Sequence, residues 1–360
     1  MDLSDIISIP PYSLSKTKKR ELLNERLRFL TCHHYEKCES YKKIIDTIGI
    51  TIHDLPEYDG LPFLPVRLFK AFDLLSIDKN EVVKTLTSSG TTGQQVSRIF
   101  LDKNNSIGQT KVLTSIVSSY IGNKRLPLII LDSSNVIKNR SMFSARGAGI
   151  LGFSLFGSKK MYVFDDDMNL DVSQLQQFLT EHKENPVFMF GFTFMIWQYF
   201  YKELKKTGYR PDLSRAILIH GGGWKKLIAE SVEPEIFKHS LYDVCGILPQ
   251  NIHDYYGMVE QTGTIYIECE YGHLHTPVFS DVLIRRPEDF SLADHGEKGI
   301  IEVVSVLPES YPGHALLTED EGEILGEDDC PCGRLGKYFK IHGRVKGAEI
   351  RGCSDTYEQY

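Results

Sequence analysis

Along the middle of the chain, short apolar runs alternate with stretches whose apolar residues recur at helical spacing. Val82, Val83 and Leu86 read as one strand, and Ile99, Phe100 and Leu101 as the next. From Asn105 to Tyr120 the positions Ile107, Val112, Ile116 and Val117 predict a helix, followed by a short buried strand from Leu126 to Leu131. Met161 to Phe164, Val187 to Phe190 and Ala216 to His220 read as further strands, with helical patterns over Leu175 to Glu181 and Phe194 to Lys206. Strands separated by helices predict an α/β fold with a mostly parallel sheet and helices on its faces. In such sheets ligands sit at the carboxyl ends of the strands.

The flanks differ. Lys18 to Ile48 predicts a helical stretch with Leu23, Leu27 and Leu30 on one face, and Pro62 and Pro65 make Leu61 to Phe69 an extended connection. Beyond Thr262 the pattern turns to strands: Thr264 to Cys269, Val278 to Ile284, Gly299 to Val306, Gly322 to Leu325 and Lys337 to Ile341. Residues 1–262 are therefore expected to form a helical N-terminus and an α/β core, and 263–342 a smaller β-rich lobe of the same large domain. The last stretch, 343–360, is expected to be a hinge remnant and a tail that carries Cys353.

Composition narrows the function. The chain has 360 residues, 41% hydrophobic and 25% charged, with a formal net charge of -7. That balance offers no overall attraction to nucleic acid or to an anionic membrane, and favours small-molecule chemistry. Met1 to Ser15 lacks an apolar core after a basic start, so no secretory signal is expected, and seven sparse cysteines fit reduced thiols in the cytoplasm. Pro186 to Tyr201 is rich in aromatic and aliphatic residues but too short for a membrane span.

Three stretches carry candidate chemistry. Ser88, Ser89, Gly90, Thr91, Thr92 and Gly93 join two predicted strands; their hydroxyls and uncovered backbone N–H groups suit phosphate oxygens, and equally suit a hairpin turn. No Lys-Ser or Lys-Thr follows, so the run is not a Walker loop. At the end of a predicted strand, His220 leads into Gly221, Gly222, Gly223, Trp224 and Lys225, where bare backbone lets a flat ligand approach. In Asp254 to Glu260, Tyr255 and Tyr256 are candidates to stack on a base and Glu260 to hold a divalent cation.

The remaining thiols suggest a second metal. Cys330 and Cys332 stand one residue apart, and Cys269 is followed by His273 and His275. Cys269, His275, Cys330 and Cys332 would make one tetrahedral zinc site tying the β-rich lobe together. Phe188, Phe190, Phe192 and Phe194 alternate; either one pair faces a substrate or all four are core.

With these motifs in order, the chain resembles the adenylate-forming superfamily. Ser88 to Gly93 matches its phosphate-binding loop, and Tyr256, Gly257 and Glu260 match its Tyr-Gly-x-Thr-Glu motif, with Val259 in the place of Thr. Thr318, Asp320 and Gly322 resemble the motif whose Asp holds the ribose hydroxyls; Gly343, Arg344 and Lys346 resemble the hinge motif. Within the superfamily it is most similar to acyl-protein synthetases of the bacterial bioluminescence fatty acid reductase, through Gly221 to Lys225 and Gly352-Cys353. Secondarily it resembles phenylacetate-CoA ligases, through the Cys-Pro-Cys-Gly-Arg run from Cys330.

The resemblance implies a ligase that joins a carboxylic acid, fatty or aryl, to AMP from ATP and then passes the acyl group to a thiol. Thr91, Thr92 and their neighbours would hold phosphates, Glu260 Mg²⁺, Asp320 the ribose and Gly221 to Gly223 the adenine site. Lys225, Arg344 or Lys346 would face the reacting groups, since only seven residues follow Cys353 and the full C-terminal lid with its lysine is expected to be absent. Cys353, with Lys346 and Arg351 nearby and Asp355 opposing them, is the expected acyl acceptor, handing the thioester to a partner of acyl-CoA-reductase type. The alternatives are a phenylacetate-CoA-ligase-like enzyme that uses coenzyme A or a carrier protein, and a nucleotide-binding member without catalysis.

Overall fold

The computed structural model describes residues 2–88, 96–138 and 145–345. Its strands, in chain order, are β1 (Leu64–Pro65), β2 (Lys84–Thr87), β3 (Arg98–Leu101), β4 (Leu126–Ser133), β5 (Gly157–Phe164), β6 (Val187–Phe192) and β7 (Ala216–Gly221). There follow β8 (Ile252–Tyr256), β9 (Tyr266–Ile267), β10 (Leu274–His275), β11 (Ser280–Arg285), β12 (Gly299–Ser305), β13 (Ala315–Glu327) and β14 (Lys337–Arg344). They belong to two compact units. One takes 2–88, 96–117, 257–266 and 273–345; the other takes 118–138, 145–256 and 267–272.

The second unit is the α/β part. Its sheet runs β5-β4-β6-β7-β8-β9, with β4 to β8 all parallel. The chain places β5 on one side of β4 and then crosses to β6 on the other, so the winding reverses between β4 and β6. All eight residues of β4 and all six of β6 are buried, the near-continuous apolar pattern of strands covered on both faces. The expected helix from Phe194 is interrupted: Ile196–Tyr201 winds as a π-helix before Lys202–Thr207 returns to α. Asp132 at the end of β4 is buried against Arg146, whose Nε donates to Oδ2 at 2.6 Å. Burial, only partly offset by this guanidinium, raises the Asp132 pKa.

The first unit combines the N-terminal helices with the β-rich region. The sheet order is β10-β14-β13-β12-β11, antiparallel throughout, with β1 added parallel to β13. β2 and β3 form a separate antiparallel hairpin, Lys84 opposite Leu101 and Thr87 opposite Arg98. The helical stretch predicted over Lys18 to Ile48 is two helices, Lys16–Lys37 and Glu39–Thr47, broken where Cys38 is extended (φ -114°, ψ 103°). Leu23, Leu27 and Leu30 are all fully buried, as their spacing requires. The helix Lys16–Lys37 also buries Lys19, whose Nζ reaches Thr276 and the Asp281 carboxylate (3.2 Å).

A candidate nucleotide and acyl-transfer site

In the α/β unit the candidate residues stand at the carboxyl ends of β6, β7 and β8. Strand register pairs Phe192 with Gly221 and Gly221 with Tyr255. A Cβ on Gly221 would lie 2.4–2.9 Å from three atoms of the Tyr255 ring, so the ring packs closely on bare backbone. The ring also meets Phe153 (5.4 Å between centroids) and Phe190 (6.3 Å). Gly222 adopts φ +77°, a conformation that favours glycine, and a Cβ on Gly223 would meet nothing within 4 Å. The two glycines therefore present open backbone beyond the strand end.

The loop that follows is pinned by aromatic packing. Trp224 lies edge-on to Trp197 (5.3 Å) and to Phe237 (6.2 Å). Lys225 begins a 3-10 helix, Lys225–Glu230, and its side chain is not among those described. Beneath the glycines, His220 Nδ1 is 2.9 Å from Thr193 Oγ1. Burial, reinforced by Lys238 and His253, lowers its pKa to about 3, so the imidazole is neutral at neutral pH. Phe188, Phe190 and Phe192 are buried in a chain of ring contacts with Phe153 and Phe156, while Phe194 is half-buried at the start of the next helix.

Sequence reading missed what holds β8 in place. Glu268 accepts from the Asp254 N–H (3.2 Å) and pairs with Lys238 Nζ (2.9 Å), both side chains buried. The Glu268 N–H returns a bond to Asp254 O. The signal lay in the unread helix Pro234–Cys245, with Pro at its start, Gly246 at its end and Phe237, Leu241 and Cys245 at helical spacing. A concavity of about 840 Å³ in this unit lies elsewhere, lined by Asp165, Asp166, Asp167 and Tyr162 near the β5 edge.

In the first unit, Glu260 sits in the 3-10 turn Val259–Gln261, 3% exposed. That turn is fixed by donors to its backbone: Tyr311 Oη to Glu260 O (2.9 Å), Thr262 Oγ1 to Val259 O (2.7 Å) and Thr264 Oγ1 to Gln261 O (3.0 Å). Asp320 on β13 is directly opposite Arg344 on β14. Its carboxylate stands 3.5 Å from Arg344 Nε, while Glu319 accepts from Arg67 Nε and from Arg344 Nη1 (3.3 Å). Thr318 Oγ1 receives the Asp320 N–H (3.1 Å). The spaced motifs thus bring Thr318, Asp320 and Arg344 together, and Arg67 joins them from far upstream.

Within the first unit His275 Nε2 lies 3.3 Å from Cys332 Sγ and His273 Nδ1 3.4 Å from Cys330 Sγ, while Cys269, of the expected zinc set, belongs to the other unit. Of the other candidates, Ser88 ends the hairpin strand region with its Oγ accepting from the Ser97 N–H (2.8 Å). Ser89, Gly90, Thr91, Thr92, Gly93, Lys346, Arg351, Gly352, Cys353 and Asp355 lie outside the described residues.

Comparison with known proteins turns this geometry into a family assignment. A family model described as "Acyl-protein synthetase, LuxE" matches residues 2–360. The chain belongs to that family. It is therefore an enzyme of the ligase class. Among relatives of this acyl-protein synthetase, the long-chain-fatty-acid–luciferin-component ligase of Vibrio harveyi is 24% identical, over 99% of this chain and 93% of its own. The phenylacetate-coenzyme A ligase of Thermus thermophilus is 22% identical, over 89% of this chain and 69% of its own. Among solved structures, 2-hydroxyisobutyryl-CoA ligase in an open conformation has a TM-score of 0.71 at 14% identity, covering 94% of this chain and 78% of that one. The acyl-protein synthetase thus has the α/β fold of adenylate-forming ligases. No described helix is long and apolar enough to cross a membrane.

Proposed function

We propose that this acyl-protein synthetase is an ATP-dependent fatty acid ligase that forms an acyl-adenylate and then a thioester on its own Cys353. The observation that carries the reading is the family match over residues 2–360. In the first step a carboxylate oxygen attacks the α-phosphorus of ATP, and pyrophosphate leaves. In the second the Cys353 thiolate attacks the acyl carbon and AMP leaves, its displaced oxygen keeping the electron pair. A partner reductase would then draw the acyl group from the thioester.

The residues present fit a nucleotide. Gly222 and Gly223 offer uncovered backbone beside the Tyr255 ring, at the strand ends where doubly wound sheets bind ligands. Asp320 is an acceptor suited to ribose hydroxyls, and Arg344 beside it is a fixed cation suited to phosphate or carboxylate. Ser88 to Gly93 would take the β- and γ-phosphates. Glu260 would hold Mg²⁺, which neutralises phosphate charge when bound. Lys225, Arg344 or Lys346 would supply the remaining positive charge at the reacting carboxylate.

Likeness to the Thermus phenylacetate-coenzyme A ligase, including the Cys330 to Arg334 run, favours one second reading, transfer to coenzyme A or a carrier protein. Intact-protein mass spectrometry separates the two. The protein is incubated with ATP, Mg²⁺ and a panel of fatty and aromatic acids, with Cys353→Ala in parallel. An ATP-dependent acyl mass that hydroxylamine removes and Cys353→Ala lacks is the expected result. Pyrophosphate release with no adduct would move the acceptor to coenzyme A or a carrier; no acid-dependent pyrophosphate release would overturn both.

A further inference from the structure

Glycine has the widest backbone freedom of any residue, so the run Gly221, Gly222 and Gly223 at the end of β7 is intrinsically loose. Gly221 is buried as the last residue of the strand, whereas Gly222 and Gly223 are exposed. None of the three has a side chain to tie it down. What anchors the run must therefore sit at its two ends.

Both ends meet the same ring. On the strand side the His220 imidazole lies 4.8 Å from the Phe237 ring, and on the far side Trp224 stands edge-on to Phe237 at 6.2 Å. Phe237 is on the buried face of the helix Pro234–Cys245 and is 2% exposed. Trp197 stacks on Phe237 at 5.9 Å and meets Trp224 edge-on at 5.3 Å, which closes a three-ring cluster. Trp197 is itself stacked on Tyr201 at 4.4 Å within the π-helix, a rare winding that recurs at functional sites. Thr193 adds a polar tie, its Oγ1 2.9 Å from His220 Nδ1 and 3.3 Å from Gly221 O. Edge-to-face ring pairs fix orientation as well as distance. All of these residues belong to the α/β unit.

We propose that Phe237 is a positioning residue for nucleotide binding: by holding His220 at one end and Trp224 at the other, it sets the glycine run in its binding conformation before ATP arrives. The proposal rests on the reading of this protein as an ATP-dependent ligase. A run free to wander is competent only part of the time, and the apparent affinity falls by that fraction. Once ATP is bound the conformation is the same, so binding weakens while turnover of the complex is kept. Phe237 acts through His220 and Trp224, on the base side of the nucleotide, and leaves the pyrophosphate end untouched.

The test is acid-dependent ATP consumption by the full-length protein, which gives kcat, KM for ATP and the inhibition constants of AMP and pyrophosphate. Phe237→Ala and Trp224→Ala should each raise KM for ATP and the AMP constant roughly tenfold, with kcat and the pyrophosphate constant within about twofold of wild type. Trp224→Phe, which keeps a ring against Phe237, should restore both. Trp224 is only partly buried, so its alanine variant is expected to fold even where Phe237→Ala does not. Trp197 is then the only tryptophan left, and its unchanged emission checks that the packing around it is kept. Unchanged ATP and AMP constants in folded Trp224→Ala would overturn the proposal. So would equal rises for AMP and pyrophosphate, or a loss confined to kcat, since either marks general damage. A wild type that consumes no ATP with any acid defeats the ligase reading itself, whereas a working wild type matched by its variants defeats only the role of Phe237.

Discussion

Acidification should destabilise this protein through two stacked, neutral histidines in the β-rich unit. His34 and His314 lie with ring centroids 4.9 Å apart, both fully buried. His34 Nε2 faces Pro308 O (3.0 Å), a pure acceptor, so Nε2 carries the proton and Nδ1 accepts from Ser76 Oγ (2.7 Å). Thr31 Oγ1 donates to Leu27 O and accepts from His314 Nε2 at 3.0 Å, which leaves His314 Nδ1 without a partner among the described residues. A second proton on either ring would be a buried charge, and at His314 Nδ1 it would meet no acceptor among the described residues. Burial, with His33 nearby, lowers the His314 pKa to about 3; burial, His314, His33 and Arg26 lower that of His34. The surrounding carboxylate, Glu309, is already paired with Arg26.

The sign follows from proton counting. Between the unfolded value near 6.5 and the folded value near 3, the unfolded chain binds the extra proton, so stability rises with pH across that window. At pH 5, His314 alone has cost about 2 kcal/mol relative to pH 7, against total stabilities of roughly 5–15 kcal/mol. Urea unfolding at pH 7 and at pH 5 measures the slope, which does not depend on how much the substitution itself destabilises. His314→Gln should lose about 2 kcal/mol less than the wild type on acidification. Equal losses in the two proteins would refute the reasoning.

Two further perturbations test other parts of the structure. Asp281 is buried between Lys19 Nζ (3.2 Å) and Lys337 Nζ (2.7 Å); burial would raise its pKa, but the two lysines outweigh this and hold its carboxyl below the usual range. Asp281→Ala strands both cations and should cost about 3–5 kcal/mol in urea unfolding at neutral pH; a loss under about 1 kcal/mol would show them otherwise compensated. Gly221→Ala drives a Cβ into the Tyr255 ring, a clash worth about 1–3 kcal/mol, and should raise KM for ATP roughly tenfold in acid-dependent pyrophosphate release. Gly149→Ala, whose Cβ would come no nearer than 3.3 Å to Phe192, serves as the control, and equal KM in both variants would remove Tyr255 from the nucleotide site.

Apolar alternation made the α/β architecture legible, because β4, β6 and β7 are covered on both faces and so read as uninterrupted apolar runs. β13 shows where the same signal fails. Only Gly322 to Leu325 reads as strand, yet the strand is Ala315–Glu327. Its middle carries Thr318, Glu319 and Asp320, polar residues that a period-two pattern discards. They remain in a strand because Glu319 is met by Arg67 and Arg344, and Asp320 by Arg344. Those partners come from a chain position about 250 residues earlier and from the neighbouring strand.

Charge was the least legible feature throughout, for the same reason. Lys19, Lys238, Arg146 and Arg285 carry no partner that their own stretch of sequence names, and each is buried on a carboxylate. A single sequence gives the position of a charge but not its counter-ion, and a buried ion needs one to be tolerated at all. Arg285 on Glu302 makes the point: burial pushes the Glu302 pKa up to about 7 even with the guanidinium 2.5 Å away. Asp320 and Arg344 each lie in a recognisable run, but neither run names the other as its partner; the register of β13 and β14 does. At Arg67 no run exists, and only the fold brings the residue to β13.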